Sequence, residues 1–203
     1  MKPIIILISV FFLLIVLFFF FYKFLFLRDP KRTVTKGKKI IAPADGKIIE
    51  IIDIKKKRIK LKKEEINIKK LSSDTLKEGY FISIFMSMFD VHINRAPISG
   101  EIIYVKHSKG KFLTANNLKA LENEKNEIII NNKKIGKIKV IQIAGFIARR
   151  ILCFVKNKQY VNKGEKIGLI KIGSNVSLII PKVKLLAKKG DKVKAGISVI
   201  AEY

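Results

Sequence analysis

Cysteine occurs once in this 203-residue chain, histidine twice, and acidic residues number 16 against 42 lysines and arginines. A lone Cys153 excludes an internal disulfide, so nothing demands an oxidising compartment, and its apolar setting in "ARRILCFVK" predicts a buried thiol. Two histidines, one cysteine and no carboxylate cluster beside either histidine lack the spacing of a zinc-type site, and no metal is expected. The nucleophile elbow G-x-S-x-G of many serine hydrolases is missing. So is any long stretch of amphipathic helical periodicity. The scarcity of acids leaves a formal net charge of +26. Basic residues interleaved with exposed aromatics, or a recognisable reading helix, would point to nucleic acid; neither occurs, and no nucleic-acid partner is expected. Lysine recurs beside Ile and Asn throughout, as in "NIKK" and "NNKKIGKIK", so most of the charge reads as a compositional bias of solvated surface.

What stands out against these absences is the first segment. From Ile4 to Tyr22, "IIILISVFFLLIVLFFFFY" carries no charge, glycine or proline, and as a helix it is long enough to cross the ~30 Å hydrocarbon layer. A cleaved signal peptide would have a shorter apolar core, about 7 to 15 residues, and would end in small residues rather than Phe, Tyr and Lys. Lys23, Arg28, Lys31, Arg32, Lys36, Lys38 and Lys39 follow the run with a single acid, Asp29. The positive-inside rule therefore predicts a single N-terminal span in the cell membrane, with the following domain on the cytoplasmic side. The same basic cluster would meet an anionic lipid surface at roughly 1 kcal/mol per well-placed residue. The expected organisation is an anchor over 1–28, a basic juxtamembrane linker over 29–39 and one domain over 40–203.

Beyond Lys39 the chain reads as short strands. "KIIAPADGKIIEIIDI" sets an Asp-Gly turn between apolar runs, "RIKLKKEEINIKKL" alternates, and "YFISIFMSMFDVHI" is extended and rich in β-branched and aromatic residues. "TANNLKALENEKNE" is the best short helix or ordered loop, and "IQIAGFIARRILCFV" is apolar enough for a buried strand or helix. The expected class is mainly β, a β-rich α+β sandwich or barrel. "VNKGEKIGLI" and "AKKGDKVKAGISVIAEY" echo each other in placing Lys-Gly-acid before a return strand, a pattern resembling biotinyl/lipoyl-type hairpins. A carrier of that type needs a displayed Met-Lys pair, and none exists here.

Polar residues inside apolar strands are the candidates for chemistry. In "GLIKIGSNVSLIIP", Ile172, Ser174, Val176, Leu178 and Ile180 share one face, which puts the Ser174 hydroxyl on the apolar side, where it needs either a partner or a task. Asp90, His92 and Asn94 likewise share a face. His92 between apolar neighbours is a satisfied core histidine or a proton donor, whereas His107 in "VKHSKGKF" reads as a solvent-exposed loop residue. Asp45 reads first as an ordinary Asp-Gly hairpin turn. On these residues alone, a membrane-anchored hairpin-barrel adaptor and a serine hydrolase using Ser174, His92 and Asp45 both stay open.

"APADGKI", "FMSMFDVHINRAPISGEI", "ENEKNE", "QIAGFIARRI" and "KGEKIGLIKIGSNVSLIIP", in that order, resemble the phosphatidylserine decarboxylase family, in particular its short proenzymes, which include archaetidylserine decarboxylase-like members. The resemblance runs from about Ile40 to the C-terminus. It implies self-cleavage between Gly173 and Ser174 into chains 1–173 and 174–203 that stay associated. It also implies conversion of Ser174 into a covalent pyruvoyl group, and decarboxylation of phosphatidylserine to phosphatidylethanolamine through a Schiff base on that ketone. By the same resemblance His92 matches the histidine implicated in decarboxylation, and Asp45 the acid linked to self-processing. Where longer members place a second histidine this chain has Arg95, which could stabilise an oxyanion or hold the lipid phosphate. Arg149 and Arg150 are further candidates for the phosphate. Asn175, Ser177 and Lys125 depart from residues usual in short members.

Overall fold

The computed structural model describes residues 2–55, 59–61, 64–66, 71–72, 75–146, 150–171 and 173–203. The chain starts with an α-helix over Lys2–Phe20 that runs on as a π-helical turn over Phe21–Phe26. Pro3–Phe24 has a mean hydropathy of 3.5, and this helix is long and apolar enough to cross a membrane. Its side chains from Ile4 to Phe20 lie exposed rather than against the domain. A helix apolar on every side and packed on nothing is suited to lipid as its surroundings.

The domain is mainly β, as expected. Eight strands form one antiparallel sheet in the spatial order Tyr160–Val161, Gly100–Ser108, Lys125–Asn132, Gly136–Ile143, Ser174–Ile180, Tyr80–Met86, Gly46–Asp53 and Lys192–Val193. The sheet curls into a half-barrel. Two three-stranded sheets accompany it: Ile151–Cys153, Lys166–Ile170 and Ile93–Arg95 form one, and Lys39–Ile41, Val199–Glu202 and Lys184–Leu185 the other. Within the alternating segment "RIKLKKEEINIKKL", Ile59–Leu61 pairs antiparallel with Glu64–Ile66.

Alternation sorts side chains onto two cores. Ile48, Ile84, Val176 and Leu178 belong to the main core with Ile128, Ile130, Ile138 and Val140. Ile52, Phe81, Ile141, Ile143 and Ile179, on the other face, pack with Leu118, Ala120 and Leu121 from the 3₁₀ turn Leu118–Glu122. Each such aliphatic side chain contributes about 1.5–3 kcal/mol on burial. Ser174–Ile180, paired on both edges and covered on both faces, is buried at all seven positions.

The echo between the two Lys-Gly-acid segments has a structural counterpart. The Asn162 amide donates to Glu165 Oε2 at 2.8 Å and the Glu165 amide to the Asn162 carbonyl at 3.0 Å. The Lys188 amide donates to Asp191 Oδ2 at 2.8 Å and the Asp191 amide to the Lys188 carbonyl at 3.2 Å. In both, the acid closes a turn on the residue three before it.

Three readings of single residues change. Cys153 is exposed, because the edge strand Ile151–Cys153 is covered by pairing on one side only, and its thiol donates to the Val155 carbonyl at 3.3 Å. His107 lies in the strand Gly100–Ser108 rather than a loop, half-exposed, with Nε2 3.4 Å from Glu124 Oε1. Asp45 does not close a hairpin. The strands on either side of it enter different sheets, Lys39–Ile41 beside Val199–Glu202 and Gly46–Asp53 beside Tyr80–Met86.

Candidate active site

Ser174 opens the central strand, directly opposite Met86 on Tyr80–Met86. It is fully buried, and its hydroxyl donates to Met86 Sδ at 3.4 Å. A thioether is a weak acceptor, so the hydroxyl is oriented without being tightly held. Gly173, before it, has φ of +62°, and a Cβ there would meet nothing within 4 Å. The left-handed backbone, not lack of room, is therefore what favours glycine at this position. The Gly173 carbonyl in turn lies against Gly145, where a Cβ would come 1.6 Å from its oxygen. Two glycines thus shape the backbone around the Gly173–Ser174 bond.

His92 lies just ahead of Ile93–Arg95 and is fully buried. Ring nitrogen Nδ1 is 2.8 Å from the Asp90 carbonyl oxygen. A carbonyl only accepts, so Nδ1 carries the proton and Nε2 presents a lone pair. Among the described residues, Nε2 is the one buried side-chain polar atom with no hydrogen-bond partner. The ring is roofed by Phe26, 4.2 Å between centroids at 41°, and Phe26 is stacked in turn on Tyr22 at 5.6 Å and 10°. The last turn of the apolar N-terminal helix therefore forms one wall of the histidine's surroundings. Burial pushes the His92 pKa below its ordinary 6.5, outweighing the bond to the Asp90 carbonyl and the charges of Asp90 and Asp45; the Arg28 charge adds to the lowering. The imidazole is thus neutral, with its free base facing inward.

Asp45 accepts from the Ala195 amide at 2.8 Å through Oδ1 and from Arg32 Nη2 at 2.8 Å through Oδ2. Both side chains of that ion pair are about nine-tenths buried. Among the described residues no hydrogen bond joins Ser174, His92 and Asp45 to one another. His92 and the cleavage segment are linked through the backbone instead: the Ile170 amide donates to the His92 carbonyl at 3.3 Å.

Arg95 directs Nη1 to the Gly164 carbonyl at 3.0 Å and Nη2 to Asp29 Oδ1 at 2.6 Å, and Lys166 pairs with the same carboxylate. The segment after the helix is thereby fastened to the domain, further aided by Thr35, whose amide and hydroxyl bond the Gly196 and Ile197 carbonyls. Arg150 is exposed, its carbonyl accepting from the Lys171 amide at 3.2 Å. Arg149 lies outside the described residues. Asn175 and Ser177 point to the opposite face from Ser174, where Asn175 Oδ1 accepts from Ser177 and Ser83, both at 3.1 Å, and Asn175 Nδ2 donates to the Ala115 carbonyl at 3.3 Å. Lys125 Nζ donates to the Leu121 carbonyl at 2.9 Å.

Phe26, Arg32, Gly145 and Met86 do not stand out in the sequence. Phe26 is one more aromatic in an apolar run and Arg32 one more base in a cluster. Gln142, by contrast, carries the same signal as Ser174, a polar side chain at an inward position of an apolar strand.

Ser174 is thus a buried serine after a left-handed glycine, and His92 a neutral histidine whose buried Nε2 has no hydrogen-bond partner among the described residues. The family model described as phosphatidylserine decarboxylase matches residues 17–201. A phosphatidylserine decarboxylase proenzyme of Syntrophus aciditrophicus is 41% identical over 181 residues, covering 88% of this chain and 78% of the relative. In Methanothermobacter thermautotrophicus a protein named as a candidate archaetidylserine decarboxylase proenzyme is 41% identical over 189 residues, covering 88% and 79%. Its namesake in Methanocaldococcus jannaschii is 41% identical over 181 residues, covering 87% of both chains. The chain belongs to the phosphatidylserine decarboxylase family.

Proposed function

We propose that the protein is a membrane-anchored proenzyme that cuts its own backbone between Gly173 and Ser174 and then, as a carboxy-lyase, converts phosphatidylserine to phosphatidylethanolamine. The observation that carries the reading is the fully buried Ser174 hydroxyl at a strand start directly after a glycine of positive φ; the buried, unpartnered Nε2 of His92 supplies a candidate base.

In the first step Ser174 Oγ bonds to the Gly173 carbonyl carbon, the peptide C–N bond breaks, and the hydroxyl proton ends on the Ser174 nitrogen, leaving an ester. Loss of the Ser174 Cα proton then expels the Gly173 carboxylate from Cβ. Water converts the resulting dehydroalanine to a pyruvoyl group at position 174, with release of ammonia. A base is needed for the Cα proton, and the His92 Nε2 lone pair is available and neutral above its lowered pKa.

The surroundings of Ser174 fit such a group: the position is buried, and the backbone before it is shaped by two glycines. When formed, the ketone supplies an electron sink for loss of carbon dioxide. His92 would hold and return the proton at Nε2 that must replace the departing carboxyl group, and burial under Phe26 would keep bulk water from that exchange. Candidates for holding the lipid phosphate are Arg95, Arg149 and Arg150. Arg150 is exposed, whereas Arg95 would first have to leave Asp29.

The anchor suits a diacyl substrate, since each methylene withdrawn from the bilayer costs about 0.8 kcal/mol and a tethered domain works where the head group lies. Charge asymmetry about the span supports the cytoplasmic face of the cell membrane, and the basic juxtamembrane cluster an anionic lipid surface. The test is to incubate the detergent-solubilised protein with vesicles containing phosphatidylserine or its archaeal ether counterpart and measure carbon dioxide and the amine-headed product. Turnover of either lipid by wild type, absent in Ser174→Ala, is expected. A cleaved wild type inert toward both overturns the substrate assignment.

A further inference from the structure

Three buried side-chain amides run head to tail toward Ser174. Asn126 Nδ2 donates to Gln142 Oε1 at 2.9 Å, and Gln142 Nε2 donates to Asn94 Oδ1 at 2.8 Å. With its oxygen taken, Asn94 has only its NH2 left, and that group donates to Met86 Sδ at 3.8 Å. The same sulfur accepts the Ser174 hydroxyl. All five residues are at most 2% exposed.

Register explains how strands far apart in sequence build this row. Asn126, Gln142 and Val176 are directly opposite one another across three neighbouring strands, so their side chains share the face that also carries Ser174 and Met86. Asn94 reaches in from the small sheet. Gln142 is locked from the other side by Gly168, where a Cβ would come 2.4 Å from Gln142 Nε2. An apolar barrel end needs none of this, and a core of aliphatic side chains would avoid the desolvation of three amides.

We propose that the Asn126–Gln142–Asn94 row is a positioning device for self-cleavage. It fixes the Met86 thioether, which holds the Ser174 hydroxyl in the rotamer from which Oγ attacks the Gly173 carbonyl. The row has a built-in direction, the Gln142 and Asn94 carbonyls each accepting from the amide before it, so the Met86 end presents N–H and does not compete for the serine proton. A sulfur acceptor suits this task because it orients the hydroxyl yet releases it easily. The covalent step is the acyl shift already written, in which the Gly173 carbon exchanges nitrogen for Oγ and the hydroxyl proton passes to that nitrogen. The inference rests on the proenzyme reading, and it assigns to that reaction residues outside Ser174, His92 and Asp45.

The experiment follows chain cleavage in freshly synthesised full-length protein by gel and intact mass. It compares wild type with Asn94→Leu, Gln142→Leu, the double variant and Met86→Leu, each checked for folding by thermal melting. Met86→Leu conserves volume and keeps the test alive if an amide variant fails to fold. Each single variant is expected to cleave at least about tenfold more slowly, and the double no more slowly than the slower single, because the row acts as one unit. Hydroxylamine, which intercepts an ester by forming the Gly173 hydroxamate and freeing the serine oxygen, is expected not to restore cleavage, since the ester does not form. Folded variants that cleave at the wild-type rate overturn the proposal. So does cleavage restored by hydroxylamine, which would put the defect after the acyl shift. An uncleaved wild type instead refutes the proenzyme reading itself.

Discussion

His92 has its proton on Nδ1 and its Nε2 lone pair buried, with the ring packed against Phe26. Its charged form is disfavoured, and the sign of the pH dependence follows. The unfolded imidazole takes up a proton near 6.5 while the folded one resists until lower pH. Stability is therefore full above 6.5, falls as pH drops from 6.5 to the lower folded value, and is flat below it. If the neutral imidazole is the working form, the acid limb of kcat/KM lies below 6.5 in wild type. Phe26→Ala is expected to move that limb upward toward 6.5 and to cost about 3 kcal/mol of stability. A pH–rate profile unchanged by this substitution would show that the ring does not control the imidazole. A second residue-scale prediction concerns Asp45. Arg32→Met leaves a buried carboxylate with only the Ala195 amide, at a cost of about 3 kcal/mol, and adding Asp45→Asn is expected to restore most of it. Denaturant midpoints of the single and double variants check this.

At the scale of elements, the central strand was legible because its period is strict. Val176, Leu178 and Ile180 do share the main core, and Ser174 does face inward with Met86. The paired Lys-Gly-acid turns were legible for the same reason, since a carboxylate three residues on is a local signal. The Asp-Gly reading failed because turn chemistry does not say which sheet the next strand joins: a sharp bend at Asp45 passes the chain between layers. The roles of Phe26 and Arg32 depend on how the helix end folds back on the domain, and neighbours in space leave no periodic trace. His92, Ser174 and Asp45 stood out one by one, yet the Met86 sulfur against Ser174, the Arg32 guanidinium on Asp45 and the Phe26 ring over His92 came from tertiary packing.

For the whole molecule, the expected break between Gly173 and Ser174 should not loosen the fold. Ser174–Ile180 is bonded on both edges to strands of the preceding chain, and Val199–Glu202 pairs with Lys39–Ile41. The two chains are expected to elute together in detergent and to part only in denaturant; spontaneous loss of 174–203 on gel filtration would contradict this arrangement. The N-terminal helix does more than an anchor alone would, for Phe26 on its last turn packs on the His92 ring, and Arg95 and Lys166 grip Asp29 just beyond it. Removing residues 1–26 is therefore expected to lower kcat even on detergent-dispersed substrate, where membrane recruitment no longer matters. Equal kcat for the shortened and full chains would reduce the helix to a tether.

The central claim is that Ser174 becomes the catalytic group by cleavage of its own chain, and intact-mass spectrometry of the detergent-extracted protein beside Ser174→Ala tests it most directly. Two chains from wild type, the smaller starting at position 174 with the mass of a pyruvoyl rather than a serine terminus, and one uncut chain from the variant, are the expected result. A folded wild type that remains a single chain of 203 residues would contradict it.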